Sequence, residues 1–170
     1  MNTRKVAIVT GSGTGVGAAA ALMLAERGYD LVINYSRSAD EAQASEVACR
    51  GAGADTLLVK ADVADDAQCR SMVQAAVARW GRIDALVNNA GVSSFTGASN
   101  WDAVDGEAFQ RVIGINTVGA FQMLRACVPY LRASGDGAVV NVSSIAGSLG
   151  IGSSVPYIAS KGALTALTLY

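Results

Sequence analysis

Tyr157 and Lys161 stand four residues apart in the run Tyr157-Ile158-Ala159-Ser160-Lys161. On a helix this spacing puts a phenol and an ammonium on one face, one turn apart. A free phenol ionises near pH ~10 and is a poor acid–base group at neutrality. A neighbouring ammonium favours the phenolate and suits such a group to proton transfer. The pair stands out because the 170 residues include no histidine. That excludes a Ser-His-Asp triad, a Cys-His pair, the HExxH zinc motif and any histidine base. Acid–base work falls to Tyr, Lys, Cys, Asp or Glu. Asp102, Asp105 and Glu107 imitate a paired-carboxylate site but read as the acidic start of a long helix. Cys49, Cys69 and Cys127 are odd in number and form no CxxC motif, so they read as reduced thiols, and no metal site is expected. The competing reading of Tyr157 is a helix-start aromatic after Pro156, with Lys161 a solvated lysine.

A second cluster lies near the N-terminus. The apolar run Val6–Thr10 leads into Gly11-Ser12-Gly13-Thr14-Gly15-Val16-Gly17, and a helical pattern follows at once. Glycines there let the backbone turn tightly and approach a phosphate with no Cβ in the way. The helix N-terminus then offers free N–H groups to a pyrophosphate. Gly11, Ser12, Thr14, Gly15, Val16 and Gly17 are therefore candidate dinucleotide contacts. No GKS or GKT follows, which disfavours a P-loop NTPase. A turn that binds nothing is the alternative. After the second apolar run, Asn34-Tyr35-Ser36-Arg37-Ser38 lacks the acid that would hold a ribose 2′-hydroxyl. Arg37 there suits a 2′-phosphate, which favours NADP(H) and leaves NAD(H) second. A solvated loop arginine is the other reading.

The elements that must position these groups alternate in type. Strands are expected at Val6–Thr10, Leu31–Tyr35, Thr56–Lys60, Ile83–Val87 and within Gly137–Val142. Helices are expected at Gly15–Arg27, Ala39–Arg50, Asp65–Trp80 and Glu107–Arg132, the last bent near Pro129, with a further helix from about Pro156. Val92–Gly106 reads as a surface loop. The strands are continuous apolar runs, as expected of a parallel α/β sheet covered on both faces. With 51% hydrophobic residues, 19 glycines and two prolines, the chain reads as one packed domain. A net charge of −1 without a basic run gives no footprint for nucleic acid. Val6–Val9 is too short for a signal peptide, and the apolar stretch Gly15–Ala25 is too short to span a membrane, so a cytoplasmic protein is expected.

Taken in order, these motifs resemble the short-chain dehydrogenase/reductase family. The loop Thr10-Gly11-xxx-Gly15-x-Gly17 is similar to its TGxxxGxG motif, and Asn88-Asn89-Ala90-Gly91 to its NNAG segment. Ser144, thirteen residues before Tyr157, completes the Ser and YxxxK pattern, and Asn116 matches the family's helix asparagine. Asp62-Val63 resembles the pair that contacts adenine. Among subgroups the similarity is greatest to NADPH-dependent 3-oxoacyl-carrier-protein reductases. The resemblance implies a Rossmann-type doubly wound parallel sheet of strand order 3-2-1-4-5, in a single NAD(P)-binding domain over residues 1–170. It implies Tyr157 as acid–base residue for a ketone, with Ser144 bonded to the carbonyl oxygen. It also implies Lys161 on the nicotinamide ribose, Asn116 holding a water beside Lys161, and Asn89, Ala90 and Gly91 facing the adenosine. Two departures matter. Thr14 stands where many NADP-using relatives have Arg or Lys, and the 170 residues correspond to about the first two-thirds of the family domain. A C-terminally truncated fold is therefore expected, lacking two strands and the substrate-covering helices. The intact enzyme would be a homodimer or homotetramer acting on a small ketone or alcohol, with no nucleic-acid or membrane partner. A catalytically incomplete fragment and a non-enzymatic NADP-binding module remain open at this point.

Overall fold

The computed structural model describes residues 4–94 and 101–170. Five strands, β1 (Lys5–Val9), β2 (Tyr29–Tyr35), β3 (Thr56–Lys60), β4 (Ala85–Asn88) and β5 (Ala138–Asn141), form one sheet in the order β3-β2-β1-β4-β5. Every pairing is parallel. Successive strands step outward from β1 to β3, and the chain then crosses to β4 on the other side of β1. The order therefore reverses between β1 and β4, where open α/β sheets part to receive ligands at the strands' carboxyl ends.

Alternation along β1 divides the core in two. Val6 and Ile8 face α3 (Asp66–Trp80) and α5 (Gly119–Ser134), in a cluster with Met72, Leu86, Met123 and Cys127. Ala7 and Val9 face α1 (Gly15–Glu26) and α2 (Ala39–Gly51), in a cluster with Ala21, Ala25, Leu31, Ile33 and Ala42. Small alanines on that second face draw α1 close to the sheet, which holds the loop feeding it against the strand tips. The expectation of burial on both faces holds for β1, β2 and β4, but β5 is largely exposed, because it forms an edge of the sheet. The three cysteines are free and buried. Burial pushes the Cys69 and Cys127 thiols up to about 12, so both stay protonated at neutral pH.

Two departures from the sequence expectation bear on the site. The stretch expected as one long helix comprises α4 (Gly106–Ile113), a π turn (Gly114–Val118) and α5, and Pro129 lies inside α5 without ending it. A short helix α6 (Ile145–Leu149) precedes α7 (Val155–Leu169), where no helix was expected. Part of the expected loop Val92–Gly106 lies outside the described residues, and a single 3-10 turn occupies Trp101–Ala103. The helix Gly106–Ser134 is long and apolar enough by length and composition to cross a membrane. Its Met123 and Cys127 are nonetheless buried in the core, as in the central helix of a folded domain.

Candidate active site

A cleft of about 880 Å³ opens over the carboxyl ends of the strands, within the usual size range of small-molecule and cofactor pockets. Gly11, Thr14, Gly15 and Val16 line its first side, at the entry to α1. Thr14 is the N-cap of α1 yet makes no side-chain cap, and the helix's first turn carries no acid, so its leading N–H groups remain available to an anion. The glycines answer to distinct constraints. Gly15 adopts φ +54 in open space, a conformation L side chains rarely take. A Cβ on Gly17 would collide with Asn89 Nδ2 and the Gly11 carbonyl oxygen, so Gly17 permits close packing rather than a turn. Gly17 is buried beneath the loop, as is Ser12, and neither lines the cleft. Ser12 Oγ accepts from Asn34 N at 2.9 Å, and Ser12 N donates to Asn34 O at 2.9 Å.

Asn34, at the tip of β2, is the residue that sequence reasoning overlooked. Its Oδ1 accepts from Gly11 N at 3.1 Å, and its Nδ2 donates to Ala61 O at 3.1 Å, so one amide ties the loop to the ends of β2 and β3. The signal was present: an amide follows Leu31-Val32-Ile33 in a run otherwise apolar, and it is 2% exposed. A buried amide needs partners, and here they are backbone atoms of the loop. From the other side, Asn89 Nδ2 donates to Thr10 O at 2.9 Å and Gly11 O at 3.0 Å. Thr10 Oγ1 accepts from Asn89 N and Ala90 N, both at 3.0 Å. Asn89, Ala90 and Gly91 all line the cleft. Arg37 lines it beyond β2, and Asp62 and Val63 line it beyond β3, where Asp62 Oδ1 accepts from Ala64 N at 2.9 Å.

The opposite side carries Ser144, Tyr157 and Lys161. Ser144 is the N-cap of α6, and its Oγ accepts from Ala146 N at 3.1 Å. With that N–H bound to a lone pair, the hydroxyl proton remains free to donate. Tyr157 and Lys161 both lie on α7, with Lys161 Nζ 5.6 Å from the centre of the Tyr157 ring. Lys161 is 4% exposed, and Nζ donates to Val142 O at 2.6 Å, which fixes the ammonium behind the phenol. Burial holds its pKa below the ordinary lysine value.

Asn116 sits in the π turn, 1% exposed and outside the cleft lining. Its Oδ1 accepts from Val92 N at 2.8 Å, and its Nδ2 donates to Val92 O at 2.9 Å and to Ser160 Oγ at 2.9 Å. Ser160 Oγ in turn donates to Tyr157 O at 2.7 Å. The structure thus makes Asn116 a clamp between the chain leaving β4 and the helix that carries Tyr157. Gly91 lies against the same group: a Cβ there would stand 3.3 Å from Asn116 Oδ1 and 3.6 Å from Lys161 Nζ. A π turn widens the helix by one residue, and such turns gather at functional sites.

The cleft fits a dinucleotide: an unacidic helix N-terminus, glycines packed against the neighbouring loop, and Arg37 without an ion pair among the described residues. Among the described residues no group of His, Cys, Asp and Glu could hold a metal ion. Residues 5–170 match the family model for short chain dehydrogenases. A protein of Streptomyces violaceoruber, named for a ketoacyl reductase of the granaticin polyketide synthase, is 42% identical over 163 residues. That match covers 96% of this chain and 64% of the relative, so the chain spans somewhat less than two-thirds of it. A short-chain dehydrogenase/reductase structure from Burkholderia xenovorans superposes with a TM-score of 0.97 at 44% identity, covering 99% of this chain and 71% of that one. An NAD+-bound xylitol dehydrogenase superposes at 0.88 with 34% identity, covering 96% and 62%.

Proposed function

This chain belongs to the short-chain dehydrogenase family, and on that premise we propose that it is an NADP(H)-dependent carbonyl reductase that converts a ketone to a secondary alcohol. The observation that carries the reading is one cleft with the glycine loop and Arg37 on one side and Ser144, Tyr157 and Lys161 on the other. A bound nicotinamide dinucleotide supplies the hydride. The N–H groups at the start of α1 hold its pyrophosphate, and Arg37 pairs with the 2′-phosphate. Asp62 and Val63 flank the adenine. Ser144 donates its free hydroxyl proton to the ketone oxygen as negative charge grows there. Tyr157 Oη delivers the proton that completes the alcohol, and the Lys161 ammonium stabilises the phenolate left behind. Asn116 acts as a positioning residue, holding α7 against the loop that follows β4.

The same reading makes the protein a cytoplasmic homodimer or homotetramer in which residues 1–170 serve as one NAD(P)-binding domain. The substrate is a small ketone such as a 3-oxoacyl thioester. Calorimetric titration with NADPH and NADH, followed by NADPH oxidation across a panel of ketones, tests it. Tighter NADPH binding with turnover is the expected result. Tight binding with no turnover on any ketone would make the chain a nucleotide-binding module instead.

A further inference from the structure

One wall of the cleft has no part in this chemistry. Ser93 follows β4, and its Oγ lies 3.2 Å from Ser153 Oγ and 3.4 Å from Ser154 Oγ, at the entry to α7. O–H···O bonds usually close to about 2.7–2.8 Å, so these hydroxyls are loosely held. Others near the site are not: Ser143 Oγ lies 2.8 Å from Thr165 Oγ1, and Ser160 Oγ lies 2.7 Å from Tyr157 O. Ser154 is the N-cap of α7, yet its side chain makes no capping bond. Ser94 Oγ, next along, is buried without a hydrogen-bond partner among the described residues. Ser93 and Ser153 line the cleft together with Tyr157, which follows Ser153 by four residues. The wall thus offers hydroxyls with spare donor and acceptor capacity and no charged group, beside the phenol that meets the reacting oxygen.

We infer that Ser93 and Ser153 form a subsite for a second, uncharged oxygen of the substrate, close to the carbonyl being reduced. The substrate class is then oxo esters, oxo thioesters or diones rather than simple alkanones. This rests on the reductase reading and deepens it. A site built to bond an oxygen rejects the analogue that lacks it, because its own polar groups are left unpaired. The test titrates the NADP+-saturated chain with ethyl acetoacetate and with the alkanone of equal heavy-atom count, so no turnover is needed. The ester should bind about tenfold tighter, the effect of two neutral hydrogen bonds. Ser93→Ala combined with Ser153→Ala should remove that preference, with Ser153→Ala alone removing part of it, while NADP+ affinity reports that each variant is folded. Equal affinities in the unmodified chain, or a preference that survives both substitutions, would overturn the inference. Failure to bind NADP+ at all would overturn the nucleotide reading and this one with it. Selective ester binding with no turnover on adding NADPH would support the subsite and refute the reductase reading alone.

Discussion

The two ends of the cleft are built on opposite terms. At the glycine loop the backbone is the binding surface, and the shape depends on atoms that are absent: a Cβ on Gly17 has nowhere to go. The amides of Asn34 and Asn89 hold that backbone from either side. At the Tyr157 end the working parts are side chains, and the backbone serves as their anchor, as where Val142 O receives Lys161 Nζ. Substitution should therefore damage shape and binding together at the first end, and chemistry without binding at the second.

Tyr157→Phe gives the largest separation of the two. The ketone reduction rate should fall by about a thousandfold, within the range for loss of a general acid, while NADPH affinity stays within about twofold. A parallel loss of both in calorimetry and steady-state assay would show the ends to be inseparable. Gly17→Val should act in the reverse sense. Its collisions with Asn89 and Gly11 should reduce NADPH affinity and lower stability by about 1–3 kcal/mol, as overpacking does. Urea unfolding checks this, and an unchanged midpoint would count against it.

Arg37→Gln sharpens the comparison within the binding end. It should weaken NADPH by about tenfold through loss of charge-assisted bonds and leave NADH unaffected. Equal weakening of both would place Arg37 away from the 2′-phosphate. The smallest effect concerns Lys161. Burial depresses its folded pKa below the ordinary 10.5, so the unfolded chain holds this proton to higher pH than the folded chain does. Stability then rises with pH across the window from the depressed value up to 10.5, and below that window the full cost of burying the ammonium is present. Thermal unfolding of the unmodified chain and of Lys161→Met across alkaline pH should show this rise only in the former. Activity should decline over the same window as the ammonium behind Tyr157 is lost.

What sequence reveals follows the same division. The strands, the glycine loop and the Tyr157–Lys161 pair are written locally, in apolar runs and fixed spacings, and the sheet order agrees with the family resemblance. The role of Asn34 was hidden because its partners, Gly11 and Ala61, are each more than twenty residues away. The meeting of Ser93 with Ser153 spans sixty residues and has no periodicity to betray it. Helix α6 escaped because Ile145-Ala146-Gly147-Ser148-Leu149 has weak helix propensity, and its Ser144 cap and packing on α7 decide the matter.

The π turn at Gly114–Val118 carries a further consequence. An α-helix advances about 100° per residue, so one residue more in a single turn resets the angular phase of everything beyond it. The face that α4 presents and the face that α5 buries are therefore set independently, although they share one rod. Deleting a single residue there, Gly114 for instance, would restore an unbroken helix at the expense of its register: Met123 and Cys127 would turn out of the core by roughly a quarter of a revolution. A shorter, more regular helix would in this way give a less stable protein.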